Sequence, residues 1–253
     1  MSKIAHVDPR SLNELISRVH YLKSFIQFTD EDGTAIQAAG PLLSQLLPII
    51  LDAVYTHLLS FDITAKAFLP KQPEQDEAGA GAQSVEELSL NHPNIKHRKN
   101  FLGQYLVKLV SNKDWSDASP FWRYLDLVGV MHTGEPGFKH RAKRPELRVE
   151  FIHMGLLLGW VEDLIAKTVL EEESLDLQTK TKVVRAFNKL LWIQNDLFAR
   201  HYVVDPATGS LPKGSEAKKL LLATSANSTY ANAGSLVLAV GAAVLFLHSH
   251  HSK

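Results

Sequence analysis

Twelve histidines and no cysteine define the chemistry open to this chain. Without a thiol there is no disulfide, no thiolate metal site, no iron–sulfur cluster and no cysteine nucleophile. Imidazole is then the side chain left for soft-metal or haem ligation. Most of the twelve have ordinary places. His248, His250 and His251 sit in a terminal tail, and His92, His97, His140 and His201 lie beside charged or turn residues. His6 and His20 are near the N-terminus, and His57 and His153 fall within helical stretches with no evident partner. His132 differs: Val128, Leu125 and Tyr124 precede it by four, seven and eight residues and share its helical face. It ends an apolar stripe just before a loop broken by Gly134, Pro136 and Gly137. Such a histidine can point into an apolar pocket from a helix end. By position alone the better reading is a buried histidine bonded to a carbonyl, since satisfied buried polar groups are the rule.

Tyr55 is the second candidate. Leu51, Leu58 and Leu59 stand four before, three after and four after it, which turns it inward on a strongly apolar helix. A buried tyrosine needs a partner for its hydroxyl, and alone it reads as a core tyrosine bonded to a backbone carbonyl. Phe101 begins the apolar face of the helix lying between these two in sequence, and Tyr105 follows one turn later. Together, one helix-end histidine, one inward tyrosine and several aromatics in an all-helical chain are what a haem pocket requires.

The elements that must position them are helices. Asp8-Pro9 opens a first helix carrying Leu12, Leu15, Ile16, Val19, Leu22 and Phe25 or Ile26 at spacings of three and four. Thr29 is an N-cap, with Asp30, Glu31 and Asp32 in the first turn where the helix dipole favours carboxylates. Residues 42–60 form an apolar helix that Pro48 bends or restarts. Residues 71–94 are polar and predict a mobile loop with a short turn near Val85–Leu88. Helix resumes near Ile95, and Asp117 or Ser119 before Pro120 starts the helix that ends near His132. Two long helices follow, from about Glu146 to Leu170 and from Ser174 to about Tyr202. No alternating strand pattern, repeat, dinucleotide fingerprint, P-loop or zinc-protease motif occurs.

Composition removes other classes. At 253 residues the chain can bury a full core. Twenty-seven basic residues balance twenty-seven acidic ones, so nothing in the charge points to nucleic acid. Residues 1–12 lack the apolar run of a secretory signal. The apolar run lies at the other end: no Asp, Glu, Lys or Arg occurs from Leu220 to Ser252. Ala231–Leu247 would form roughly 25 Å of helix without a charged face, at the short edge of a bilayer span. A buried core helix is the alternative, but a surface helix shows a charged face and this one has none.

The order of features resembles the protoglobin, or globin-sensor, family. FTDEDGTAIQAAG (Phe28–Gly40) is similar to the segment that leads from that family's extra N-terminal helix into its A helix. ILDAVY (Ile50–Tyr55) resembles its B-helix motif, whose closing tyrosine faces the distal side of the haem. HRKNF (His97–Phe101) resembles its E-helix stretch with a distal phenylalanine, and LVGVMH (Leu127–His132) the F-helix segment ending in the proximal histidine. The resemblance spans roughly residues 10–203. Val54 stands where the family often has tryptophan, the loop before the E-like helix is long, and no transmitter domain follows.

The resemblance implies an all-α globin fold with an extra N-terminal helix, a tail at 1–8 preceding a globin-sensor domain at 9–204. After it come a linker at 205–230 and, read from the uncharged apolar run, a C-terminal membrane anchor at 231–248. It implies haem b held by His132 as proximal iron ligand, Tyr55 as donor to a bound gas, and Phe101, Tyr105 and Val128 lining the pocket. Lys139–Arg144 could meet a haem propionate, but a solvated loop is the better reading of that cluster. The implied function is reversible binding of O2, CO or NO by a gas sensor or gas-handling protein, with enzyme activity left open. Its domain would be cytosolic, tethered to an intracellular membrane, with a homodimer allowed. Two other classes stay open: a haem-free tail-anchored helical interaction protein of the apoptosis-regulator type, and a haem enzyme such as an NO dioxygenase.

Overall fold

Local capping chemistry marks where several of the helices begin. The computed structural model describes residues 4–69, 84–135, 137–138 and 147–203, all within the unit Met1–Lys213. Asp8 accepts a hydrogen bond from the Arg10 backbone N–H at 3.0 Å and opens only a short 3-10 turn, Pro9–Asn13. Glu14 is extended, so α1 (Leu15–Ile26) starts afresh, and the single helix expected here is two pieces. α1 ends at Gln27, whose φ of 58° is the left-handed conformation that closes many helices. Thr29 then caps α2 (Asp30–Ala38) as expected, its backbone N–H donating to the Asp32 carboxylate at 2.8 Å in a capping box.

α3 (Gly40–Leu59) runs through Pro48 as one helix. Among the described residues it is the helix long and apolar enough to cross a membrane. Its buried Leu43, Ile50, Val54 and Tyr55 belong to the main hydrophobic core and it packs on α5, while Ile49 is exposed. α4 (Asp62–Ala65), a 3-10 turn at Lys66–Phe68 and another at Val85–Glu87 lead to α5 (Pro93–Ser111), capped by His92. Residues 70–83, most of the expected loop, lie outside the described residues.

Ser119 Oγ accepts from the Phe121 N–H at 3.3 Å and starts α6 (Pro120–His132) where Pro120 predicts it. α7 (Phe151–Glu171) begins five residues later than its periodicity suggests. The reason is a backbone bridge: Gly134 N–H donates to Leu147 O at 3.0 Å and Val149 N–H to His132 O at 2.9 Å. This pairing holds 147–149 extended and ties them to the end of α6. α8 (Leu177–Ala199) starts under an Asp176 cap, not at Ser174.

α8 is the central element and packs on α1, α2, α6 and α7. Its buried residues recur at 183, 186, 187, 190, 191, 193, 194, 197 and 198, an apolar stripe with one polar member, Gln194. Each fully buried Leu, Ile or Phe in such a stripe contributes about 1.5–3 kcal/mol. Ion pairs fasten α8 to its neighbours: Arg18 to Asp196 through two N–H donors at 2.5 and 2.8 Å, and Lys189 to Asp32 at 2.8 Å. The expected linker and the Ala231–Leu247 segment lie outside the described residues.

Candidate functional site

α6 delivers His132 as its last residue. The ring Nδ1 lies 2.7 Å from the carbonyl oxygen of Val128, one turn back. A carbonyl can only accept, so Nδ1 carries the proton, and in the neutral ring Nε2 keeps the lone pair that a metal takes. The carbonyl-bonded histidine expected from position and the ligand histidine are thus one arrangement. Val128, Met154 and Phe198 are buried together, with Tyr105, Tyr124, Phe151 and Leu158 packed against them. The Phe198 ring centroid is 6.2 Å from that of half-buried His132.

Tyr105 joins this cluster to the main core, since it packs against both. Its ring lies 6.4 Å from Tyr124, and its hydroxyl donates to Gln194 Oε1 at 3.2 Å. Gln194 is fully buried and passes an N–H to Leu125 O at 3.4 Å. Burial pushes the Tyr105 phenol well above its ordinary range. Lys108 Nζ sits 4.2 Å over the Tyr124 ring, a cation–π contact at the edge of the cluster.

Tyr55 lies on α3, 5 % exposed, with its ring 5.7 Å from Phe68. Burial raises its pKa strongly, against a smaller opposing pull from Arg98, so it is a neutral hydroxyl at physiological pH. No described residue hydrogen-bonds that hydroxyl. Phe101 is 44 % exposed and meets His97 edge-on at 4.7 Å. It stands four residues before Tyr105 and so shares that face of α5, but belongs to neither buried cluster.

Other histidines differ from their sequence reading. His201 does follow charged Arg200 in a turn, but it is 7 % exposed and its Nε2 donates to Asp126 at 2.8 Å, a partner its position does not announce. His57 does have a partner: it stacks on Trp160 at 4.6 Å. Gln194, Met154 and Phe198 were also missed. The spacing of Leu190, Leu191, Leu197 and Phe198 was the available signal for Gln194, because it places a lone polar residue on a buried stripe. Lys139–Arg144 lies outside the described residues.

Among the described residues no three His, Asp or Glu side chains gather to hold a bare metal ion. A lone helix-end histidine in an apolar cluster instead suits an iron whose other ligands come from a porphyrin. A small apolar void of about 30 Å³ lies elsewhere, lined by residues such as Leu43, Leu47, Ile50, Leu106, Ile165 and Phe187, and by none of the five candidate site residues.

Comparison with known proteins addresses the fold and the family. The globin domain of the Geobacter sulfurreducens globin-coupled sensor superposes with a TM-score of 0.52 and 17 % identity, over 73 % of this chain and 97 % of that one. That likeness identifies the all-helical globin fold. No curated protein sequence matches the chain. The protoglobin family model matches residues 15–207, most of the chain. With that match, and with the helix order that presents Tyr55 and His132, the chain belongs to the protoglobin family.

Proposed function

We propose that this globin holds haem b through His132 and reversibly binds a diatomic gas, O2, CO or NO, as a sensor or gas-handling protein. The observation that carries the reading is the His132–Val128 hydrogen bond: it assigns the proton to Nδ1 and leaves Nε2 as the coordinating atom. Haem supplies the iron centre at which a gas binds. The chain's own residues do the rest. Val128, Met154 and Phe198 exclude water around the ligand histidine. Tyr105, tied to Gln194, braces the cluster from α5. Tyr55, buried and protonated, is the donor to a polar ligand on the distal side, and Phe101 walls that side.

Membrane tethering and assembly extend the proposal. Ala231–Leu247 is apolar and uncharged, which supports an anchor that leaves the globin cytosolic on an intracellular membrane. α7 and α8 expose Ile152, Leu156 and Trp192, an apolar surface that supports a homodimer. The decisive experiment is the absorption spectrum of purified full-length protein. A Soret band that shifts on reduction and again under CO supports the reading. A colourless protein that takes up no added haemin would sink it and favour the haem-free interaction protein. Turnover of NO with an added reductase would favour the enzyme.

A further inference from the structure

The end of α8 grips the helix that carries His132 at two points. At the first, Asp126 Oδ1 accepts from His201 Nε2 at 2.8 Å and from Arg200 Nη1 at 3.3 Å. The Asp126 and Arg200 side chains are only 17 % and 15 % exposed, so this is an interior charge-assisted pair. Arg200 is itself pinned by the Asn13 carbonyl at 2.7 Å. At the second, the Tyr202 hydroxyl donates to Val149 O at 2.9 Å, while Val149 N–H donates to His132 O at 2.9 Å. Between the two points the helices touch at backbone level. A Cβ on Gly129 would lie 2.8 Å from Leu197 O and 3.0 Å from His201 Cδ2, so only glycine allows the approach.

We infer that Asp126, Arg200 and His201 are positioning residues for His132: through them the end of α8 sets the rotation and axial position of α6, and with it the direction in which the His132 ring presents Nε2. This rests on the proposed role of His132 as iron ligand. The physical reason is that α6 is short and its contacts with α8 are directional hydrogen bonds and a backbone contact, which permit little sliding. Asp126 lies six residues before His132, so neither it nor its partners need touch the haem. A carboxylate can only accept, so His201 must present Nε2–H, which it does in the neutral Nε2–H tautomer and when protonated.

The test uses the full chain loaded with haem. Asp126→Asn and His201→Ala each loosen the grip, whereas His201→Gln keeps an N–H donor. The readouts are haem content, the iron–histidine stretching band of the ferrous protein and the CO association rate. The inference expects the first two variants to retain haem, to shift or broaden the stretching band in the same direction and to change CO association several-fold, with His201→Gln near wild type. Lys189→Ala is the control: it breaks another pair of the same helix, with Asp32 of α2, away from Arg200 and α6, and should lower Tm while leaving the band in place. A wild-type band in both loosened variants, whatever their Tm, overturns the inference. So does an equal shift in Lys189→Ala, because the effect would then be general loosening. If Asp126→Asn fails to fold, His201→Ala against His201→Gln decides. Wild-type protein without haem or without an iron–histidine band overturns the ligand assignment itself, an outcome distinct from an unmoved band.

Discussion

His132 Nδ1 and the Val128 carbonyl oxygen stand 2.7 Å apart, one helical turn from each other. The carbonyl acts on the ring at a distance from any ligand: it fixes the tautomer and orientation before a metal arrives. His132→Ala removes the nitrogen that, among the described residues, is so placed beside the Val128–Phe198 cluster. Purified His132→Ala should lose haem, or keep it loosely with an altered Soret band. A normal five-coordinate ferrous spectrum in that variant would show that another residue is the ligand.

Tyr55→Phe removes one hydroxyl and little volume. A hydrogen bond to a ligand carrying partial charge is worth about 1.5–3 kcal/mol, or roughly ten- to a hundred-fold in rate. Bound CO is less polar than bound O2. O2 dissociation should therefore accelerate far more than CO dissociation in stopped-flow measurements. Equal effects on both gases would mean that Tyr55 acts by shape alone.

Gln194→Leu deletes the acceptor of the Tyr105 hydroxyl inside the protein. The orphaned hydroxyl should cost about 1–3 kcal/mol. Adding Tyr105→Phe removes the orphan, so the double variant should be more stable than Gln194→Leu alone. Urea unfolding of the single variants and the pair measures this directly. Additive losses would show that the two side chains do not depend on each other.

Gly33 and Gly159 predict opposite outcomes for the same substitution. A Cβ at Gly33 would lie 2.3 Å from the Trp115 indole nitrogen, and Trp115 is hemmed in by Phe28, Phe121 and Trp122. Overpacking of this kind costs about 1–3 kcal/mol, which exceeds the roughly 1 kcal/mol gained from alanine's helix propensity. At Gly159 nothing stands within 4 Å, so only the propensity gain remains. Thermal melts should show Gly33→Ala lowered and Gly159→Ala raised.

Deleting residues 226–253 should yield a soluble protein that still carries haem. Lys218 and Lys219 before the apolar segment favour a cytosolic globin. The tripeptide Asn227-Ser228-Thr229 would then stay unglycosylated. Full-length protein should resist an alkaline carbonate wash that releases the truncation. Equal release of both would remove the anchor.

Much of the fold was legible because its signals are local. The Thr29 cap depends on Asp32 three residues on, the start of α6 on Ser119 and Pro120, and the inward turn of Tyr55 on leucines within four residues. A helix reports its own face, since 3.6 residues per turn is written into the spacing. The delayed start of α7 was hidden, because what holds 147–149 extended is pairing with the turn after His132 and not any property of those residues.

Sequence by itself therefore determined the helices, their order, the inward position of Tyr55 and the placement of His132 at a helix end. Tertiary structure alone decided which side chains meet across long separations. His201 reads as a turn histidine until α8 folds back and sets it on Asp126, 75 residues earlier. Gln194 reads as a break in an apolar stripe until Tyr105, 89 residues away, gives it a partner. Periodicity carries the direction of a side chain about its own axis; the partner is settled by how helices cross, and that is fixed by contacts such as Gly129 against Leu197 that no single segment encodes.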